Sequence, residues 1–375
     1  MKKQILNFSV LAFMFLIIFA SCEKNLEDPF IQDENSILPT RFKVDLPTSM
    51  SNSSSGISTK SAEIDTLKGN LIYSNLITFI AVGEGAADIV EAVINSIRVF
   101  RIYDIVDMTY VSDDDNRMKH LVIVENTEFK GRTWQYQLII SDVDSEGNAD
   151  GGNAIQVFWN NKPVEGIAMI KPYNLNRREN MKNTEAMLSV EYSEAGNENY
   201  ETYMKVDISG LAVNERETFG IDALQMFVGK NGDILDVYGN SNHPNAKFFT
   251  ETKGYNWAFV ASGNKTKNIS VVELGLPFSN VDSDSRDVIL KDYSIKNVLT
   301  EEINTWFLKV FHVRPNAEDL AGYLKDADAP GYFGNHGFIQ GGTAPSSDYH
   351  VLKDRTEQLA PYNPKAVNDL VIEFK

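Results

Sequence analysis

From Asp142 to Asn153 the chain sets acids at the first, third, fifth and ninth places of a turn, with glycine at the sixth. Carboxylate oxygens at alternate positions around a tight turn can wrap a hard cation such as calcium. Asp142, Asp144, Glu146 and Asp150 are therefore the candidate metal ligands, and calcium would stiffen the loop rather than catalyse. Five histidines offer acid–base chemistry: His120, His243, His312, His336 and His350. None falls at a zinc spacing such as His-Glu-x-x-His. His243, in the polar stretch Tyr238 to Asn245, and His336, in the glycine-rich stretch Gly331 to Pro345, are placed to line a ligand pocket. The plainer role for each is a loop histidine with one hydrogen bond. Trp134 alternates with Tyr136, which predicts a shared sheet face where aromatic rings could stack on a ligand; packing inside the sheet core is the competing role. The chain has no Gly-x-Ser-x-Gly elbow and no phosphate-cradling glycine loop, and nothing singles out two of its 52 acids as a carboxylate pair.

The Asp142–Asn153 pattern resembles a calcium loop of the EF-hand type, with two departures. Position five is Glu146, and position twelve is Asn153 where a bidentate glutamate belongs. Its flanks read as strands rather than helices, so a polar hairpin loop is the preferred reading.

The N-terminus carries a second kind of chemistry. Lys2 and Lys3 precede an apolar stretch from Val10 to Phe19, too short for a membrane span of roughly 20 residues. Such a segment, followed by small residues, reads as a signal peptide. Phe19-Ala20-Ser21-Cys22 resembles the lipobox of bacterial lipoproteins, with Phe19 in the place usually held by leucine. The resemblance implies a diacylglyceryl group on Cys22 and cleavage before it. Cys22 is the only cysteine in the 375 residues, so neither a disulfide within the chain nor a separate catalytic thiol is available. The acids of Glu23 to Asp28 resemble the export tag of Bacteroidota lipoproteins displayed on the outer surface. Asp65-Thr66-Leu67 matches a short O-glycosylation motif of the same phylum.

The formal charge is −17, and residues 1–21 contribute two lysines and no acid, which leaves −19 on the remainder. That balance argues against nucleic acid, whose phosphates need lysine and arginine, and against adsorption of the whole body on anionic lipid. Hydrophobic residues at 43% suffice for a core. The elements that must hold these groups follow from periodicity. Gly69 to Tyr103 reads as two helices broken at Gly83-Glu84-Gly85, the second amphipathic; the acids there argue against a membrane span. From Asp104 the period becomes two, and eleven strands are predicted: 104–112, 120–125, 133–141, 154–159, 166–171, 186–193, 200–208, 223–228, 234–238, 257–261 and 268–274. Lys230-Asn231-Gly232-Asp233 is a hairpin turn. Beyond Pro277 the pattern predicts a helix from Thr300, its N-cap, to Phe311. A short helix from 317 to 325, a glycine-rich loop and a last strand from Leu370 to Phe374 follow.

The expected fold is α+β, predominantly antiparallel β (a curved sheet, barrel or sandwich), with an N-terminal helical pair and a C-terminal helix. Residues 1–21 form the signal peptide, 22–68 a tether and 69–375 the body, open to subdivision near 240–300. The whole resembles uncharacterised Bacteroidota envelope lipoproteins in layout and signal. The function expected is a non-enzymatic module of the cell envelope. It would be held on the outer membrane by its lipid and would bind a ligand or protein partner. Two alternatives stand beside it. One is an envelope hydrolase, for which His243, His336 and an acid must converge in one cleft. The other is a lipid or envelope-assembly carrier, which needs a deep apolar cavity between the 69–103 helices and the sheet.

Overall fold

A computed structural model describes residues 37–51, 69–98 and 105–375. Cys22 and its flanks, residues 52–60 of the Ser-rich stretch and Asp65-Thr66-Leu67 lie outside the described residues.

The described residues form thirteen strands: β1 (Val106–Val111), β2 (Met118–Phe129), β3 (Arg132–Asp142), β4 (Asn153–Asn161), β5 (Val164–Ile170), β6 (Met187–Ser193), β7 (Thr202–Ser209), β8 (Ala223–Asn231), β9 (Ile234–His243), β10 (Tyr255–Asn264), β11 (Ile269–Gly275), β12 (Gly331–Gly334) and β13 (Gly337–Gly341). Each pairs with its sequence neighbours in one open, curved sheet of order β1 to β13, and the pairings are antiparallel. The sheet runs unbroken through β9, β10 and β11, across the region open to subdivision. The eleven predicted strands correspond to β1 through β11. β12 and β13 come instead from the stretch expected to be a loop.

The N-terminal helix pair is the single turn α1 (Thr48–Ser51) and the thirty-residue α2 (Gly69–Arg98). The break expected at Gly83-Glu84-Gly85 is absent. Glycine costs about 1 kcal/mol of helix propensity there, but a Cβ on Gly83 would sit 2.5 Å from Met226 Cε. The missing side chain lets the sheet close on the helix, so packing wins over propensity. Tyr73, Phe79 and Ile80 of α2 bury against Trp257, Met226 and Phe333, all at most 2% exposed. No helix among the described residues is long and apolar enough to cross a membrane.

The stretch 37–51, expected to be tether, is built into the body. Leu38, Phe42, Val44, Leu46 and Met50 are buried in the main core. Ile37 O accepts from Trp159 Nε1 (2.8 Å) and Asn161 Nδ2 (2.9 Å). The acids of α2 receive this segment: Glu91 Oε1 accepts from Phe42 N (2.8 Å), Glu84 Oε1 from Leu46 N (3.1 Å), and Asp88 pairs with Lys43.

The remaining helices are the single turn α3 (Pro172–Leu175), α4 (Ile295–Phe311), α5 (Ala317–Tyr323), α6 (His350–Thr356) and α7 (Pro364–Asn368). The C-terminal helix α4 starts five residues before the expected cap. Ser294, not Thr300, caps it by accepting from Asn297 N. A π-helical turn (Val288–Asp292) brings Ile289 and Leu290 onto Ala258 and Val260, so β10 is buried on both faces. That covering comes very close. A Cβ on Gly275 would lie 2.0 Å from Ile289 O. Gly275→Ala is expected to cost about 2–3 kcal/mol through backbone overpacking, read as a lowered urea midpoint.

Candidate functional site

The densest set of polar groups gathers where β2, β3 and β4 end. Lys119 on β2 is directly opposite Asp142 on β3, and their side chains are 1% and 0% exposed. The Lys119 ammonium donates to Asp142 Oδ2 (3.0 Å), Asp115 Oδ2 (3.1 Å) and Asn174 O (2.9 Å). Arg117 grips the same carboxylate with two bonds, Nε to Oδ2 (2.6 Å) and Nη2 to Oδ1 (2.7 Å). Ser145 Oγ donates to Asp142 Oδ1 (2.8 Å) and is itself touched by Arg177 Nη2. Burial alone would raise the pKa of Asp142, but the bonds from Arg117, Ser145 and Lys119 outweigh it and hold the carboxyl well below the usual range.

This arrangement corrects the expectation of a calcium loop at Asp142, Asp144, Glu146 and Asp150. Asp142 is consumed by Arg117 and Lys119. Asp144 is exposed, 3.3 Å from Arg117 Nη2. Glu146 Oε1 accepts from Ser141 Oγ (3.1 Å) and lies 3.5 Å from His120 Nδ1, while His120 Nε2 meets Asp107 Oδ1 at 2.9 Å. Asp150 accepts from Lys171 Nζ (2.8 Å) and Asn174 Nδ2 (2.9 Å). The acids thus diverge toward protein cations, and no group of three acids or histidines among the described residues is set to hold a metal. What remains accessible is an open cleft of about 290 Å³ lined by Asp150, Lys171, Tyr173, Asn174 and Glu185. Of its charged groups, Asp150 and Lys171 pair with each other, and Glu185 is the third.

His243 is not in a loop. It is the last residue of β9, 0% exposed, with its ring 4.2 Å from Phe79 and 4.7 Å from Trp257. Nδ1 faces the Phe219 carbonyl at 3.1 Å, and a carbonyl can only accept. Nδ1 therefore carries the proton, and Nε2 accepts from the Ser241 hydroxyl at 2.8 Å. The pair has the look of a serine–histidine dyad, but Ser241 is also 0% exposed. Burial pushes the imidazole down to about 3, against the pull of its backbone bonds. It is neutral and sealed. His336 sits exposed at the β12–β13 turn, so the two histidines share no cleft.

Trp134 is 0% exposed and belongs to an outer-face cluster with Phe158, Ile167 and Met169, capped by Ile372 and Phe374. Tyr136 instead packs on the main core and stacks on Trp159 at 5.4 Å. The shared face expected of them fails because Asn126, opposite this stretch on β2, takes φ 53° and interrupts the regular alternation. Trp134 is core, not a ligand platform. Two further buried carboxylates went unnoticed in the sequence. Asp236 accepts from Ser262 Oγ (2.7 Å), Tyr200 OH (3.0 Å) and Arg355 Nε (3.0 Å). Glu302 accepts from Thr250 N, Thr250 Oγ1 and Tyr255 OH, each at 2.9 Å. Each carboxylate is held by its own set of donors.

Among the described residues, exposed large hydrophobics crowd together at the end of α4. Leu308, Val310, Phe311 and Val313 are 44%, 50%, 51% and 57% exposed. Comparison of the chain with protein-family models, curated proteins and solved structures finds no match.

Proposed function

We propose that the chain is a lipid-anchored envelope protein of the outer membrane whose folded body is a binding module rather than an enzyme. The observation that carries the reading is Phe19-Ala20-Ser21-Cys22, a lipobox-like sequence that ends on the chain's only thiol. Several acyl chains, each CH2 contributing about 0.8 kcal/mol when buried, make such an anchor lasting. The non-enzymatic half is supported by the candidate acids and bases. His243 is sealed, Asp142, Asp236 and Glu302 are saturated with donors, and His336 stands apart from His243. The carrier alternative is disfavoured by the dense packing of Tyr73, Phe79 and Met226 between α2 and the sheet.

Cys22→Ala is expected to release the protein from membranes and to abolish incorporation of labelled fatty acid. Labelling that persists in that variant would overturn the anchor. Equilibrium binding to glycans, peptides or envelope fractions tests the module; turnover of any of them by the purified chain would overturn the non-enzymatic half.

A further inference from the structure

We infer that the C-terminal end of α4 is a membrane-contact surface, through which the body lies against a lipid bilayer. Among the described residues, four of the twelve exposed large hydrophobics fall within the six residues Leu308 to Val313. They interleave with Lys309, His312 and Arg314, and no Asp or Glu occurs between Glu302 and Glu318. In a chain of charge −17 this is a local island, an apolar stretch with a surplus of basic residues, and the one acid that shares a surface cleft with Leu308 and Arg314 is Glu301. Charges beyond about 8 Å are screened at physiological ionic strength, so the island can meet anionic headgroups while the acidic remainder faces water. Glu251, whose charge Lys309 feels, is held by Lys247 at 2.7 Å.

The island stands on a rigid base. The Trp306 ring lies 5.2 Å from Phe307, 5.6 Å from Phe311, 6.0 Å from Phe249 and 6.2 Å from Tyr323. Phe249, Phe307 and Tyr323 pack in turn on the main core. At His312 the backbone turns left-handed (φ 59°), and the apolar surface continues across it to Val313. An indole beside phenylalanine and leucine, with lysine and arginine at the rim, is the composition that settles at the headgroup boundary.

A membrane is favoured over a protein partner by charge and by reach. That the chain lives beside a bilayer rests on the anchor proposed at Cys22; the affinity of the α4 end for lipid does not. Ile37 enters at the β4–β5 turn, the end of the sheet opposite the β9–β10 connection that carries Phe249. Fifteen residues separate Cys22 from Ile37. Fully extended they reach at most about 50 Å, against about 34 Å along a ten-residue strand such as β9 and about 24 Å across the intervening strands, a diagonal of about 42 Å. An anchored chain can therefore lay the α4 end on the same membrane.

The test uses the full chain carrying Cys22→Ala, so that no acyl group takes part. The vesicles hold equal parts phosphatidylethanolamine and phosphatidylglycerol, with brominated acyl chains that quench tryptophan on contact. Trp134, Trp159 and Trp257 are 0% exposed, so quenching reads Trp306, one tryptophan in four. The readout is insensitive to vesicle binding through residues 10–19, which would not place Trp306 in lipid. Quenching of about a quarter of the emission is expected, lost in Trp306→Phe and in the double variant Phe311→Ser, Val313→Ser. The double variant should lower its urea midpoint only slightly and stay folded, since both side chains are more than half exposed and Phe311 gives up only its ring contacts with Trp306 and Phe307. Absence of quenching, including the case in which this surface captures a protein instead, would overturn the inference and leave the Cys22 anchor untouched. Persistent fatty-acid labelling of Cys22→Ala would remove the anchor and leave the quenching intact.

Discussion

Asp142→Ala is expected to destabilise the fold by about 3–5 kcal/mol, because it removes one of the two carboxylates that hold the buried Lys119 ammonium and releases the two-bond grip of Arg117. The cost is not the net worth of the ion pair, since two charges removed from water repay little when they meet. It is the penalty of buried cationic donors left with fewer acceptors than before. Asp115 still faces Lys119, which keeps the expected loss within that range. Asp142→Asn keeps the shape and should recover only part of the loss. Asp144→Ala serves as the control: its carboxylate is 68% exposed beside the same Arg117, and it should change stability by no more than about 0.5 kcal/mol. Urea midpoints of the three variants decide the matter. If Asp142→Ala costs no more than Asp144→Ala, the cluster is not the clamp that joins β2, β3 and the turn around Asn174. The pH dependence has a definite sign. A carboxyl held below its unfolded value contributes fully above the ordinary carboxylate range of about 3.9, and the contribution is lost as pH falls beneath it.

The strands from β1 to β11 were legible because their β-branched and aromatic runs, several of them alternating, are closed by turn residues, and neither signal needs knowledge of the partner. Partners are what local pattern cannot show. Arg117, Lys119 and Lys171 look like ordinary surface cations until register sets Lys119 against Asp142. Without that pairing, acids spaced along a turn read as metal ligands. The C-terminus shows the same limit. Val371 is 72% exposed while Ile372 and Phe374 turn inward onto the Trp134 cluster, so the alternation of a strand is real. Yet the segment lies across the outer face of the sheet, with Lys375 N donating to Gln156 Oε1 at 2.8 Å, and joins no ladder. Conversely, β12 and β13 are so rich in glycine that they read as loop. Gly331 is there because Tyr73 lies against it: a Cβ would fall 2.7 Å from Tyr73 Cε1. The tether reading of 37–51 failed for a similar reason. The turn-forming and Ser-rich residues around the segment outweighed the buried series Phe42, Val44 and Leu46, whose partners lie on α2 and on β4 to β7.

A stability difference between the native chain and His243→Gln is expected to shrink as pH falls from about 8 to about 4, with a limiting slope near 1.4 kcal/mol per pH unit below about 6.5. The folded imidazole is held at about 3 by burial, whereas the unfolded one titrates near 6.5. Between those values the unfolded chain binds a proton that the folded chain refuses. His243 therefore leaves stability intact above about 6.5 and costs the native chain progressively more down to about 3, in total about 4–5 kcal/mol. Buried acids act the other way. Burial raises Glu84, Asp207 and Asp222, so the folded chain takes up their protons first and gains stability as pH falls. Those contributions are common to both chains and cancel in the difference. The Asp142 cluster is separated by its window, since its loss begins only in the carboxylate range. Urea midpoints at a series of pH values supply both curves. A difference that stays constant over this window would mean that the imidazole takes its proton in the folded chain and is reachable from water. Ser241, 2.8 Å from Nε2, would then have a working base beside it, and the non-enzymatic reading of the body would lose its strongest support.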